Sequence, residues 1–311
     1  MKIYRNIKNF SAQNPVITVG TFDGVHLGHI QIFNKVKEKA RAINGESVVV
    51  TFWPHPRLVL DPNGDKINMI NTIDEKIKLI GEQEIDHLII LKFTKTFAKL
   101  SSCDFIEQYL FNKLKIKALI VGYDHHFGRD REGGFEVLSA CAKKYNFSVE
   151  KVEAYALKNE KISSTVIRDA ILKGDFEKAN TFLSKKYFIS GQIIGGKKIG
   201  RNLGFPTANI YIAETYKIVP GSGVYAVETE IKGKRYAGML NIGYKPTINI
   251  DKSNRSIEVH ILNFNDDIYD EDIRVYFHKR IRNELKFCSL EKLKQQLIKD
   301  KALVSNYFNL T

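Results

Sequence analysis

The chain has 311 residues, 43% hydrophobic and 27% charged, and its 48 Lys and Arg against 35 Asp and Glu give a formal net charge of +13. The composition is that of an ordinary globular protein, and the length exceeds what one core usually holds, so two domains are expected. No apolar run approaches the roughly 18 residues of a membrane span. Residues 1–10 carry basic side chains but no apolar h-region, so no signal peptide is expected. Cys103, Cys141 and Cys288 are far apart in sequence, without a Cys-x-x-Cys pair, a pattern of reduced thiols in a cytoplasmic protein. The lysines are scattered and no recognition motif accompanies them, so neither a specific nucleic-acid partner nor a membrane is expected. Anionic small molecules such as nucleotides remain natural partners for a basic chain.

The first half alternates strand and helix patterns. Val16–Val19 reads as a strand and His26–Ala42 as a helix, with Gly45 placed as a glycine just past the helix stop. Val48–Phe52 is a short β-branched run suited to a strand buried on both faces. Thr72 and Glu75 form a capping box for a helix carrying Ile73, Ile77 and Ile80. His87–Leu91 predicts a third strand. From Cys103 to Leu114 a helix is predicted, with Phe105, Ile106, Tyr109 and Leu110 facing the core. Ala118–Gly122 and Phe147–Val152 predict two further strands. This alternation argues for a parallel α/β sheet, with ligands beyond the carboxyl ends of the strands.

Near Tyr187 the helical period ends and glycine becomes frequent. Val224–Val227 and Ile257–Ile261 read as short alternating strands, and Lys232-Gly233 as a hairpin tip, so a small antiparallel barrel is predicted. Helical spacing returns from Ser289 to Tyr307. The expected domains are 1–184 and 185–311.

The sharpest chemical signal lies after the first strand, in Gly20-Thr21-Phe22-Asp23-Gly24-Val25-His26-Leu27-Gly28-His29. A strand feeding a glycine-bearing turn and a helix N-terminus offers free backbone N–H groups and the positive dipole end to a phosphate. His26 and His29 share a helix face, and Gly28 permits a close approach. The loop is neither a Walker A loop nor a Gly-x-Gly-x-x-Gly turn. Two other readings stand beside the phosphate site: a zinc site with His55 as a further ligand, and two histidines with no chemical role. A second candidate is Ser163-Ser164-Thr165-Val166-Ile167-Arg168, where the serines can cap a helix and Arg168 can fold back toward an anion; taken alone it reads first as an ordinary helix cap with a surface arginine, and the first site's need for a phosphate partner favours the anion reading.

These residues carry a family resemblance. Gly20 to His29 resembles the His-x-Gly-His signature of nucleotidyltransferases, in the form found in bacterial bifunctional riboflavin kinase/FAD synthetases. Thr51-Phe52-Trp53-Pro54-His55-Pro56 is similar to the family's Thr-Phe-x-Pro-His-Pro. The run Val121-Gly122-Tyr123-Asp124 with Phe127-Gly128, Arg131 and Gly133 is similar to its Gly-x-Asp-Phe-x-Phe-Gly loop, and Ser163 to Arg168 to its Ser-Ser-Thr-x-Ile-Arg. In the second half, Gly191 to Asn209, with Gly196, Gly200, Gly204 and Pro206-Thr207-Ala208-Asn209, resembles the riboflavin kinase signature. Asn241-Ile242-Gly243, Glu258-Val259-His260 and Arg282-x-Glu284-x-Lys286-Phe287 follow in family order. His125, His126, Lys245, Ile248, Asn263 and Asp270 depart from the pattern.

The resemblance implies an N-terminal Rossmann-like α/β nucleotidyltransferase domain and a C-terminal riboflavin kinase-like barrel ending in a helix. The barrel would phosphorylate riboflavin with ATP to FMN, and the α/β domain would adenylate FMN with a second ATP to FAD, releasing pyrophosphate. Gly20, Phe22, Asp23, His26, Gly28, His29, Ser164, Thr165 and Arg168 would lie at ATP in the adenylyl site, with His26, His29 and Arg168 steadying phosphate charge. Phe52, Pro54, His55, Pro56, Asp124 and Phe127 would lie on the flavin side. In the kinase, Gly196, Gly200, Gly204, Pro206 and Arg282 would meet ATP or flavin, and Glu258 would be the base. Thr207 and Asn209 would hold Mg²⁺, their i, i+2 spacing placing both on one face of an extended chain.

Overall fold

The protein, a computed structural model, is described over residues 1–60, 68–123, 128, 134–157, 160–196, 200, 203–244 and 255–310. It has two compact units, Met1–Ser164 and Thr165–Thr311.

In the first unit six segments form parallel strands, the inner four of them apolar: β1 (Lys2–Tyr4), β2 (Val16–Val19), β3 (Ser47–Trp53), β4 (His87–Lys92), β5 (Ala118–Gly122) and β6 (Ser148–Val152). Their order is β1-β4-β3-β2-β5-β6. Parallel strands need crossovers, and the crossovers bury both sheet faces. The helices that do this are α1 (Leu27–Ala42), α3 (Ile73–Gly81), α4 (Ser102–Phe105) and α5 (Phe135–Tyr145), while the short α2 (Pro56–Leu60) buries no residue. Ile17 and Val19 pack with Leu138 and Cys141 of α5, whereas Val16 packs with Val36 and Ala40 of α1. The continuous apolar strands are therefore buried from both sides. β2 has β3 on one side and β5 on the other, so its carboxyl end lies at a switch point where crossovers part in opposite directions. A two-stranded ribbon, β7 (Ala156–Leu157) with β8 (Glu160–Lys161), follows β6.

Three local features differ from the sequence expectation. The helix predicted over 103–114 is α4 followed by a π-helix at Ile106–Phe111. Its hydrophobic repeat is four residues, which outruns an α-helical turn of about 3.6 residues, and the wider turn lines up buried Ile106, Leu110 and Leu114. β1 had no sequence prediction: it is three residues long and adds to the exposed edge of β4. Gly45 is not the left-handed residue past α1. Asn44 takes that role at φ +50°, while the Asn44 and Gly45 N–H groups donate back to Arg41 and Ala40. Gly45 is needed for space, because a Cβ there would lie 2.2 Å from the Asn14 carbonyl oxygen. Gly45→Ala is expected to destabilise the unit by about 2 kcal/mol, read as a lower denaturant midpoint at unchanged slope.

The second unit opens on α6 (Ser164–Lys173), whose first residue still belongs to the first unit, and α7 (Phe176–Leu183). Six strands then close a barrel: β9 (Phe188–Ile194), β10 (Ala208–Tyr211), β11 (Gly223–Ile231), β12 (Lys234–Tyr244), β13 (Arg255–Ile261) and β14 (Asp272–Arg282), ordered β10-β13-β12-β11-β14-β9. All pairs are antiparallel, and the β11–β12 hairpin turns at Lys232 and Gly233, both at positive φ, as a type I′ turn requires. Alternate residues such as Tyr225, Val227, Leu240, Val259 and Phe277 are fully buried inside. Outside, Val224, Ala226 and Met239 are covered by Val304 and Leu297 of α8 (Leu290–Tyr307). Among the described residues no helix is long and apolar enough to cross a membrane.

Candidate functional site

Two polar constellations stand out, one in each unit. The first begins where β2 ends. Gly20 donates its N–H to the Val50 carbonyl at 3.0 Å, a last rung on β3. The turn that follows holds Phe22 at φ +47°, Gly24 at +92° and Val25 at +43°. A β-branched residue rarely takes that conformation. Burial of Phe22 and Val25 among Phe33, Val49 and Ile90 holds it here. Such strain is characteristically retained at functional turns. A Cβ on Gly28 would come within 3.3 Å of the His26 ring, so Gly28 gives that imidazole its place.

The turn is fixed from below by buried polar groups. The Asp23 carboxylate accepts the Ile70 N–H at 3.0 and 3.1 Å and the Asn71 N–H at 3.2 Å. It therefore shapes the site by tying residues 70–71 to the turn. Lys76 Nζ donates to the Thr21 carbonyl at 2.7 Å, and Thr51 Oγ1 donates to the same oxygen at 3.3 Å. Ser164 Oγ donates to the Asp23 carbonyl at 2.8 Å, so the last residue of the first unit is tied to the turn. Burial lowers the Lys76 pKa to about 8, against the opposing pull of Asp23. Sequence reasoning passed over Lys76. The signal was a lysine on the apolar Ile73–Ile77–Ile80 stripe, where a charge is retained only with partners.

His26 caps α1 without a side-chain capping bond, and its ring stacks on His29 at 3.5 Å between centroids and 20° between planes. Phe22 meets His29 edge-on at 5.2 Å. Burial pushes the His26 pKa down to about 4, and burial, His26 and Lys76 together push His29 well below its ordinary range. Both rings are neutral at pH 7. Nδ1 of each is buried without a hydrogen-bond partner among the described residues, which is costly unless a ligand completes the bond.

This burial sets a pH dependence. Between about 4 and 6.5 the unfolded chain protonates His26 while the folded chain does not, so stability rises with pH across that window. His26 alone contributes roughly 3 kcal/mol above pH 6.5, lost as pH falls toward 4. The expected result is a steep acid loss of melting temperature in that window, flattened in His26→Gln.

Other expected residues of this unit gather at the end of β3. Phe52 packs in an aromatic group with Phe93, Phe97 and Phe105, at 5.8, 5.7 and 6.4 Å. Pro54 and Pro56 flank buried His55, whose Nδ1 accepts the Arg57 N–H at 3.2 Å, and Pro56 opens α2 at the position where a missing N–H costs nothing. The expectations for Asp124 and Phe127 lie outside the described residues. Thr165 and Arg168 lie on α6 in the second unit, one and four residues beyond Ser164. Among the described residues no three His, Cys, Asp or Glu side chains are grouped to hold a metal.

The second constellation is on the barrel. Glu258 of β13 stands opposite Asn209 of β10 and Asn241 of β12 in the ladder. Thr207, just before β10, donates its hydroxyl to Glu258 Oε2 at 3.3 Å. Thr207, Asn209 and Glu258 are therefore neighbours where β10 meets β13. Gly196 leaves room for the Asn209 amide, which a Cβ would meet at 2.0 Å, and Gly200 leaves room for the Phe205 carbonyl. Gly204 turns the chain at φ +83°. A cavity of about 320 Å³ opens beside Thr207 and Pro206, walled by Ile193, Val259 and Phe264 with Asp266 at its edge. Arg282 is not among the residues that line this cavity; its Nε and Nη2 close on the fully buried Asp300 carboxylate of α8 at 2.8 to 3.0 Å. That charge-assisted pair fastens α8 to the barrel.

Comparison with known proteins gives two family matches: FAD synthetase over residues 8–166 and riboflavin kinase over residues 183–308. The bifunctional riboflavin kinase/FMN adenylyltransferase of Buchnera aphidicola subsp. Schizaphis graminum is 40% identical over 314 residues, covering 100% of both chains. The protein of the same name from Haemophilus influenzae is 38% identical, over 99% of this chain and 100% of that one. Among solved structures, a macrolide-efflux protein from Streptococcus pneumoniae superimposes with a TM-score of 0.88 at 31% identity, covering 98% of each chain.

Proposed function

The chain belongs to the bifunctional riboflavin kinase/FMN adenylyltransferase family, and from that membership we infer that each of its two constellations carries one of the two reactions. The barrel phosphorylates the riboflavin 5′-hydroxyl with ATP, giving FMN and ADP. The α/β unit joins the FMN phosphate to the AMP part of a second ATP, giving FAD and pyrophosphate. We place the division of labour at residues 1–184 and 185–311.

The observation that carries this reading is the pairing, in one chain, of two chemically different sites. At the end of β2 two neutral, stacked histidines keep buried Nδ1 atoms without a partner among the described residues. Adenylyl transfer needs no strong base there, because the FMN phosphate is already an anionic nucleophile. It needs donors and positive charge arranged around the α-phosphate and the departing pyrophosphate. The histidines, the α6 N-terminus at Ser164 and Thr165, and Arg168 supply these. Phe52, Pro54, His55 and Pro56 serve the flavin side, with Gly20, Phe22 and Gly28 shaping the ATP side.

On the barrel, the riboflavin hydroxyl must lose a proton as it attacks the γ-phosphate. Glu258 accepts it as general base. The donor set beside it is hard oxygen, Thr207 and Asn209, which suits magnesium, and these two residues would hold the ion. When bound, magnesium neutralises phosphate charge. Pro206, Gly196, Gly200 and Gly204 shape the surrounding chain. The three free cysteines support a cytoplasmic location.

The test is direct. Incubating the protein with riboflavin, ATP and Mg²⁺ and separating the flavins by chromatography should give FMN and then FAD. The reading is overturned if no flavin product forms and supplied FMN also stays unreacted.

A further inference from the structure

The β10–β13 ladder ends early. Its register runs Asn209↔Glu258 and Ala208↔Val259, and no further pair follows toward Thr207 and Pro206. At that point a side chain replaces the backbone. His260 Nδ1 lies 2.8 Å from the Pro206 carbonyl oxygen. A carbonyl only accepts, so Nδ1 carries the proton. The ring is 6% exposed and packs edge-on against Phe205 at 5.4 Å. His260 therefore grips the segment leading into Thr207 at both a ring contact and a hydrogen bond.

The position matters because of what stands on either side. His260 and Glu258 are two apart on one strand and share a face. Thr207, the next residue after Pro206, donates to Glu258. The backbone carbonyl that His260 holds is thus one residue from the hydroxyl that meets the proposed base.

We propose that His260 is a positioning residue for phosphoryl transfer: its Nδ1–H holds the Pro206 carbonyl, which sets the Thr207 hydroxyl against Glu258 and fixes the Thr207–Asn209 oxygen pair for the divalent cation. The proposal rests on the kinase reading of the barrel. Burial keeps the ring in its neutral form by lowering its pKa, consistent with a fixed single donor rather than a charge.

The test compares two amides. In His260→Asn the amide nitrogen is bonded to Cγ, as Nδ1 is in histidine, so it can reach the same carbonyl. In His260→Gln the amide is displaced by one methylene. FMN formation is measured against Mg²⁺ at saturating riboflavin and ATP, with FAD formation from supplied FMN as the folding control in the same preparation. The expected result is about a tenfold rise in the Mg²⁺ needed for half-maximal rate in His260→Gln, with His260→Asn within about threefold of the unaltered chain and FAD formation unchanged in both. Equal losses in the two variants, or an unchanged Mg²⁺ requirement in His260→Gln, would overturn the proposal. Absence of FMN formation by the unaltered chain would instead overturn the kinase reading, and this inference with it.

Discussion

Glu258→Gln is expected to slow FMN formation by about 10²–10⁴-fold, the range for loss of a positioned general base, while FAD formation from supplied FMN keeps its rate. The substitution changes little else. Glutamine has the same length, and its side-chain oxygen can still accept the Thr207 hydroxyl that now meets Oε2. The backbone pairing of residue 258 with Asn209 and Asn241 does not involve the side chain. What is lost is the ability to take a proton from the riboflavin hydroxyl. The separate flavin products make the measurement internally controlled, because one protein preparation reports on both reactions. A fall in both rates would point to damage spread through the chain, and unchanged FMN formation would remove Glu258 from the role of base.

The architecture was legible where local chemistry and long-range packing agree. The Val16–Val19 run, the Thr72–Glu75 capping box and the Lys232-Gly233 tip each have a short-range cause, and each stands where the sequence put it. The tertiary assignments of polar side chains were not legible. Nothing in the spacing around Asp23 says that its carboxylate meets the amides of Ile70 and Asn71, 47 and 48 residues away. Nothing in the spacing around Arg282 says that its guanidinium meets Asp300 on another element. A charged side chain in a motif announces that it has a partner, but spacing along the chain does not say which one. Lys76 shows the reverse. It reads as one of the scattered lysines although it falls on an apolar stripe, and only the fold shows that it donates to the Thr21 carbonyl.

His29→Ala is expected to lower FAD formation by about 10²–10³-fold, the cost of removing one preorganised donor from a developing anion, and to leave FMN formation intact. The argument starts from the stacked rings. At 3.5 Å two imidazolium rings would repel strongly, and burial already holds both neutral. In the free protein the pair is therefore a set of N–H donors, with the nearby Lys76 ammonium supplying positive charge. A bound triphosphate brings negative charge close to the rings and raises their pKa values, so ATP binding should be accompanied by proton uptake near pH 6, detectable as a buffer-dependent heat in calorimetry. His29→Ala should lose both the rate and the proton uptake. Loss of the rate with full proton uptake would assign the proton to His26 alone, and loss of FMN formation instead of FAD formation would mean that the two reactions are assigned to the wrong halves of the chain.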